Sequence, residues 1–184
     1  MSERNRPGDD ATDTALIAQW KAGDQRAASQ LVARHASALA RFAASSGARG
    51  DIDELVQDTF VRAFASLDGF RGESSFRTWL FIIERRLLLD RQRSAKRKPE
   101  GVELTDGVAA TAFDPLDELV ASEAQGRVRA AIGRLTPTQR GVFLLRVTEG
   151  LSYKEIATAL ESTEGAARVH YHNAMRSIKE FLDA

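Results

Sequence analysis

Apolar residues in this chain recur predominantly three and four positions apart and no stretch makes a convincing strand, so the fold is expected to be assembled from helices. "ALIAQWKAG" reads as a short helix closed by Gly23, and Asp24 is placed to cap the next one, "QRAASQLVARHASALARFAAS", which runs to Gly47 with Leu31, Leu39 and Phe42 at helical spacing. In "DIDELVQDTFVRAFASL" Asp51 and Glu54 resemble a capping box with Asp as the cap. Leu55, Val56, Phe60, Ala63, Phe64 and Leu67 share one broad stripe there, and Glu54, Asp58, Val61 and Ala65 fall opposite. The turn "DGFRGES" leads into a helix capped by Ser74 or Ser75 that runs to about Arg93, with Leu80, Ile83 and Leu87 as its core positions. Thr136, Pro137 and Gln139 mark another sharp helix start. Four helices are expected in the second half, near 115–134, 137–148, 152–160 and 164–182.

The composition changes abruptly between the two halves. "SAKRKPEGVELTDGVAATAFDP" mixes two prolines and two glycines with small and acidic residues, which points to a flexible acidic linker over 95–113. The polar start reads as a disordered leader, residues 1–13. The expected architecture is all-α: two small helical domains, 14–94 and 114–184, joined by that linker, the second containing a helix-turn-helix.

Of the 184 residues 43% are hydrophobic, enough for one domain core or two small ones. No run nears the roughly 18 apolar residues of a membrane span, and the N-terminus lacks the apolar stretch of a secretory signal, so a cytoplasmic protein without membrane insertion is expected. There is no cysteine, which removes disulfides, cysteine-based zinc sites and a thiol nucleophile. Three scattered histidines, no phosphate-cradling glycine loop and no carboxylates at metal spacing argue against an enzyme, and no cofactor or metal is expected. Asp51, Asp53, Glu54 and Asp58 fan around their helix, and His170 and His172 point to different faces of theirs. The formal net charge is zero, but it is unevenly placed. Residues 71–98 carry nine cations against three anions, 99–126 carry seven anions and no cation, and 127–184 carry nine cations against six anions. Two basic blocks, the first interleaved with aromatic rings in "FRGESSFRTWLFIIERRLLLDRQRSAKRK", raise the prospect of a nucleic-acid partner.

"LSYKEIATALESTEGAARVHYHNAMRSIKEFL" has the pattern of a helix-turn-helix. Ser152 caps a short helix whose Ile156 and Leu160 face inward, and Ala157 is small where a second helix must cross. After the turn "EST", a longer helix directs Arg168, His170, His172, Asn173, Arg176 and Lys179 away from a stripe of Ala167, Tyr171, Ala174 and Ile178. Such a helix can enter a major groove, its N-terminal half at base edges and its cations at phosphates. An ordinary amphipathic hairpin would carry the same periodicity.

With these segments together, in this order and spacing, the chain resembles a bacterial RNA polymerase sigma factor of the extracytoplasmic-function class, group IV of the sigma-70 family. Three stretches carry the resemblance: "DIDELVQDTFVRAFASLDGFRGESSFRTWLF", "LTPTQRGVFLLRVTEGLSYKEIA" and "EGAARVHYHNAMRSIKEFL". It implies a first domain that binds polymerase, melts promoter DNA and reads the −10 element, and a second that reads the −35 element. The implied partners are core RNA polymerase, through its largest-subunit coiled coil and its flap region, promoter DNA, and an anti-sigma factor holding the chain in a stress or environmental response. The coiled-coil contact falls on Asp53, Glu54, Gln57, Asp58, Val61 and Arg62. A solvated acidic face is the plain alternative there.

The resemblance further implies that the loop "GFRGESSF" captures a flipped base, through Arg71, Glu73, Ser75 and Phe76. Arg77, Trp79, Arg85 and Arg86 follow along the helix, although the angle of Trp79 also suits the core. Arg91, Arg93, Lys96, Arg97 and Lys98 are expected at phosphates, or else form a solvated basic tail. Glu164, Arg168, His170, His172, Asn173 and Arg176 make up the −35 recognition helix. Three residues depart from the family pattern. Glu161 stands where the helix-turn-helix usually has Gly, Arg86 where an Asn is common, and His170 where Arg is frequent. A left-handed turn at Glu161 would cost roughly 1 kcal/mol, and the three together imply an unusual promoter. A stand-alone helix-turn-helix regulator, with residues 1–95 as a dimerisation or sensing domain, is the competing reading. The acidic stretch 99–126 is a candidate screen for the basic faces.

Overall fold

The computed structural model describes residues 7–46, 48, 51–97 and 123–183, and the described residues are helical, with no strand among them. The first domain holds α1 (Pro7–Lys21), α2 (Gln25–Ser45), α3 (Ile52–Ala65), a 3-10 turn (Leu67–Gly69) and α4 (Phe76–Arg97). The second holds α5 (Glu123–Gly133), α6 (Pro137–Val147), α7 (Tyr153–Ala159) and α8 (Glu164–Leu182). Most of the acidic linker, and residues 115–122 of the expected first helix of the second domain, lie outside the described residues.

Local chemistry sets the helix ends. Gly23, at φ 96°, takes the left-handed turn after α1, and Asp24 accepts a bond from the Arg26 backbone N–H at 2.9 Å to start α2. Asp51 accepts from the N–H groups of Asp53 and Glu54, at 2.8 and 3.2 Å. The reciprocal arm of that box is replaced, because the Glu54 carboxylate lies 3.8 Å from Arg91. Thr136 with Gln139 and Ser152 with Glu155 close both arms of their boxes.

One boundary needs correction. Residues 7–13, expected within a disordered leader, belong to α1, and Asp13 is only 2% exposed. Its carboxylate accepts from Arg34 Nε at 2.9 Å and bonds His35 Nε2 at 2.8 Å, both on α2. A buried carboxylate is tolerable when paired and hydrogen-bonded, and its partners lie more than twenty residues away, where local polarity gives no hint of them. The far end of α4 likewise extends past Arg93 into the expected linker, to Arg97.

The larger finding is that the two domains share a core. Leu31, Leu39, Phe42, Leu55, Leu80 and Phe81 of the first domain are continuous with Val142, Leu145, Leu151 and Ile156 of the second. α6 lies on α2, with the Phe42 ring beside Gly141, and α7 lies on α4. A smaller cluster of Ala131, Leu135, Ala174 and Ile178 ties α5 to α8. Phe81 is fully buried and meets Phe42 edge-on at 5.3 Å between ring centroids. Phe81→Ala is expected to destabilise the chain by about 3–5 kcal/mol through lost transfer energy and the cavity left behind. Urea denaturation followed by far-UV circular dichroism will show this as a lowered midpoint.

Candidate nucleic-acid interface

The basic helix α4 begins at Ser75, whose hydroxyl accepts from the Thr78 N–H at 3.1 Å and lies 2.9 Å from the Thr78 hydroxyl. Ser75 is therefore the helix cap, engaged with backbone. Just before it Gly72, at φ 71°, turns the chain, and Arg71 and Glu73 project into solvent from the loop.

The aromatic rings of this stretch do not line that loop's outer surface. Phe76 is 2% exposed, with Phe70, Trp79 and His35 around it at centroid distances of 5.7, 5.8 and 5.6 Å. As folded, Phe76 is a core ring and not a base-facing one, a correction to the expectation from the sequence. It sits one residue after the cap on the same face as Leu80, so burying that face buries the ring with it. Trp79 is half-buried and tilted against Phe70 at 5.1 Å. The rings and the cations thus divide α4 between them. Rings and leucines face the core, while arginines ring the outside.

Those arginines have intramolecular partners. Arg77 pairs with Glu149, a residue only 2% exposed, and Arg41 reaches the same carboxylate at 2.8 Å. Arg85 and Arg86 both pair with Glu161, at 3.0 and 2.6 Å. Arg91, expected at phosphates, instead bonds Asp58 at 2.7 Å, because α3 packs directly on α4 and brings that carboxylate across. Arg93 lies 3.5 Å from Asp90 on its own helix. Lys98 and the side chains of Lys96 and Arg97 lie outside the described residues.

α3 presents a different surface. Val61 is 67% exposed and shares its outer face with Asp53, Glu54, Gln57 and Arg62, all exposed, and with half-buried Asp58. An apolar spot rimmed by carboxylates is suited to a basic protein surface.

The helix-turn-helix forms as the pattern required. Ser152 and Thr163 cap α7 and α8, and Ile156, Ala159 and Ala167 pack between them at 0% exposure. The turn contains Glu161 at φ 47°, the one non-glycine residue with positive φ among those described. Hydrogen bonding to Arg86 is the leading reason its carboxyl titrates below the usual range; the charges of Arg86 and Arg85 act the same way. On α8 the outer stripe is Glu164, Arg168, Val169, His172, Met175 and Arg176, all exposed, while His170 and Asn173 are half-buried. Arg168 is held by Glu164 at 2.5 Å and lies over the Tyr153 ring at 4.8 Å, and Arg176 bonds the Asn173 side chain at 3.2 Å.

Sequence reasoning passed over Val169 and Met175 because it sought polar groups, although both fall on the outward stripe by simple helical spacing. Glu149 left no local signal, since both of its partners are distant in sequence. Among the described residues no group of three or more metal-ligating side chains comes together, and no helix is long and apolar enough to cross a membrane.

Comparison with known proteins matches this two-domain arrangement in order. Residues 31–98 match the family model for sigma-70 region 2, and residues 125–178 match that for sigma-70 region 4. The RNA polymerase sigma factor CnrH of Cupriavidus metallidurans is 35% identical, over 94% of this chain and 95% of its own. The chain belongs to the sigma-70 family, in its ECF class. The ECF RNA polymerase sigma-E factor of Haemophilus influenzae is 32% identical, over 91% of this sigma factor and 94% of its own length. Among solved structures, CnrH in complex with the cytosolic domain of CnrY superposes with a TM-score of 0.67 at 34% identity, covering 94% of this chain and 97% of that one. The sigma factor RpoE of Bartonella quintana, solved with the anti-sigma factor NepR, gives 0.69 at 26% identity, covering 85% and 96%. As an ECF sigma factor the protein is a transcription initiation factor: it binds core RNA polymerase and directs it to promoter DNA.

Proposed function

We propose the following division of labour. α3 docks on a basic surface of core polymerase, the loop at 71–75 and the outer arginines of α4 engage the −10 element as its strands part, and α8 reads the −35 element. The observation that carries this reading is Val61, a large apolar residue left in solvent among carboxylates, on the same domain as the basic helix. A stand-alone DNA-binding regulator has no need of that face. Arg77, Arg85 and Arg86 can hold displaced backbone, since phosphate neutralisation is the dominant non-specific contribution to such complexes. With Phe76 buried, the flipped base rests against Arg71, Glu73 and the edge of Trp79. On α8, Arg168, His172 and Arg176 meet phosphates or base edges, and Val169 is placed for a thymine methyl group.

An anti-sigma partner is part of the proposal, supported by the two superposed relatives, each solved with a bound protein that for RpoE is named an anti-sigma factor. So is a cytoplasmic site of action, with no catalytic activity of the chain's own. The reading is tested by mixing the chain with core polymerase and fragmented genomic DNA and mapping transcript 5′ ends. Starts that require the chain and share two spaced upstream elements are expected. Failure both to co-migrate with core polymerase and to generate new starts would leave the stand-alone regulator.

A further inference from the structure

Holding α1 in place does not by itself require the buried carboxylate of Asp13. Leu16 and Ile17, one turn further on, already pack into the core, and a well-packed apolar side chain generally serves such a site at least as well as a buried ion pair. What Asp13 adds is direction. One of its oxygens accepts from Arg34 Nε at 2.9 Å, and the other lies 2.8 Å from His35 Nε2. A carboxylate only accepts, so Nε2 carries the hydrogen and the imidazole is fixed in one orientation. Asp13 and His35 are 2% and 5% exposed, so little water competes for either group. The imidazole in turn meets Phe76 edge-on, with centroids 5.6 Å apart. Phe76 meets Phe70 and Trp79, and those two lie 5.1 Å apart. Phe70 and Phe76 stand on either side of the loop at 71–75, so one ring cluster closes both ends of the loop. Edge-on ring pairs are directional, so the plane of His35 selects the tilt of Phe76. Phe76 follows the Ser75 cap directly, so its tilt sets where the loop joins α4. From Asp13 through His35 to Phe76 the path runs entirely through buried groups.

We propose that Asp13 and His35 are positioning residues for the loop that receives the flipped base. Through one carboxylate and one imidazole, α1 holds Phe76, and with it both ends of the loop at 71–75, in the geometry that strand opening needs. Neither residue touches DNA. A shift of about 1 Å in a positioning group can cost on the order of a hundredfold in rate, so a buried brace two contacts away from the loop is sufficient to govern it. The inference rests on the assignment of the loop to the −10 element given above. It also gives α1 a task in initiation, where its sequence reads in part as a polar leader.

Two measurements on the full chain test this. The chain has two tryptophans, so Trp20→Phe leaves Trp79 as the reporter of the ring cluster. In that background Asp13→Ala should raise acrylamide quenching of Trp79 about twofold and shift its emission to the red, as the cluster loosens. His35→Gln should do the same, since its amide can still donate to Asp13 but the ring against Phe76 is gone. It also keeps the test open should Asp13→Ala lose helix content by far-UV circular dichroism. The doubly substituted chain should be no worse than the worse single one, because both changes break one path. Val142→Ala, in the core beneath α6, lowers the urea midpoint as a general destabilisation and should leave Trp79 as in the parent. With Trp20 restored, Asp13→Ala and His35→Gln should each slow opening of duplex template about tenfold at the promoters found by transcript mapping. A template already melted across the −10 element should be used at about the parent rate, and competition for core polymerase should be unchanged. The positioning role is overturned if Trp79 ignores Asp13→Ala, if Val142→Ala moves it equally, or if the two single effects add. Duplex opening that is unimpaired, or impaired no more than use of the melted template, overturns it as well. If Trp79 responds as expected but the parent itself directs core polymerase to no new starts, the brace on the loop stands and the −10 assignment falls.

Discussion

Glu54→Arg combined with Val61→Arg is expected to weaken binding of the chain to core RNA polymerase by roughly a hundredfold, about 3 kcal/mol. Both side chains are exposed on α3, Val61 at 67%, so neither change disturbs packing. The cationic variant would bring like charges to a basic partner and remove the apolar centre of the patch, where interface energy concentrates. Competition for core polymerase against a labelled copy of the unsubstituted chain measures the loss directly. Urea denaturation of the variant should stay within about 1 kcal/mol of the parent, the difference coming from the exposed Glu54–Arg91 contact and the lost carboxylate in the first turn of α3. A variant that competes as well as the parent would place the polymerase contact elsewhere.

The second large effect concerns Glu84. It lies on α4 between Leu80 and Leu88, at 0% exposure, and neither carboxyl oxygen has a hydrogen-bond partner. Burial drives its carboxyl up from 4.5 to about 9. Between those two values the folded chain holds a proton that the unfolded chain has released. Glu84 therefore contributes most to stability at and below the unfolded value, and its contribution declines as pH rises towards 9, by about 1.4 kcal/mol per pH unit. From pH 4.5 to 7 the decline amounts to about 3 kcal/mol. Glu84→Met should remove that slope and raise the urea midpoint at neutral pH, because an unpartnered buried acid is replaced by an apolar side chain of similar length. Parallel pH profiles of parent and variant would contradict the assignment.

Nearly every helix and its start can be read from local chemistry. Asp24, Asp51, Thr136, Ser152 and Thr163 cap through bonds spanning two or three residues, and the apolar stripes of α2, α3 and α8 follow from spacing alone. The helix-turn-helix is equally legible, since Ile156, Ala157 and Ala167 lie within a dozen residues of one another. Three readings required the tertiary arrangement. Asp13 looked like part of a polar leader until Arg34 and His35 came across from α2. Phe76 looked like a base-facing ring until Phe70, Trp79 and His35 closed around it. Arg91 looked like a phosphate ligand until Asp58 arrived from α3. In each case the deciding neighbour lay beyond the reach of a local pattern, or belonged to a face whose inward direction only packing selects.

The departures at 86 and 161 show the division most clearly. Each was visible as a departure from the family pattern: an arginine where an asparagine is common, and a glutamate where glycine is usual. By itself the sequence determined the helices, their caps, the family and the two basic blocks, because those depend on contacts a few residues apart or on composition. That Arg86 and Glu161 meet, that Glu149 is buried beneath Arg41 and Arg77, and that Leu145, Leu151 and Ile156 complete a core begun by Phe42 and Phe81 was decided by the tertiary structure alone. Burial of apolar surface is non-directional and indifferent to sequence distance, so it joined segments far apart along the chain and placed opposite charges together at the seam, Arg41 and Glu149 being 108 positions apart.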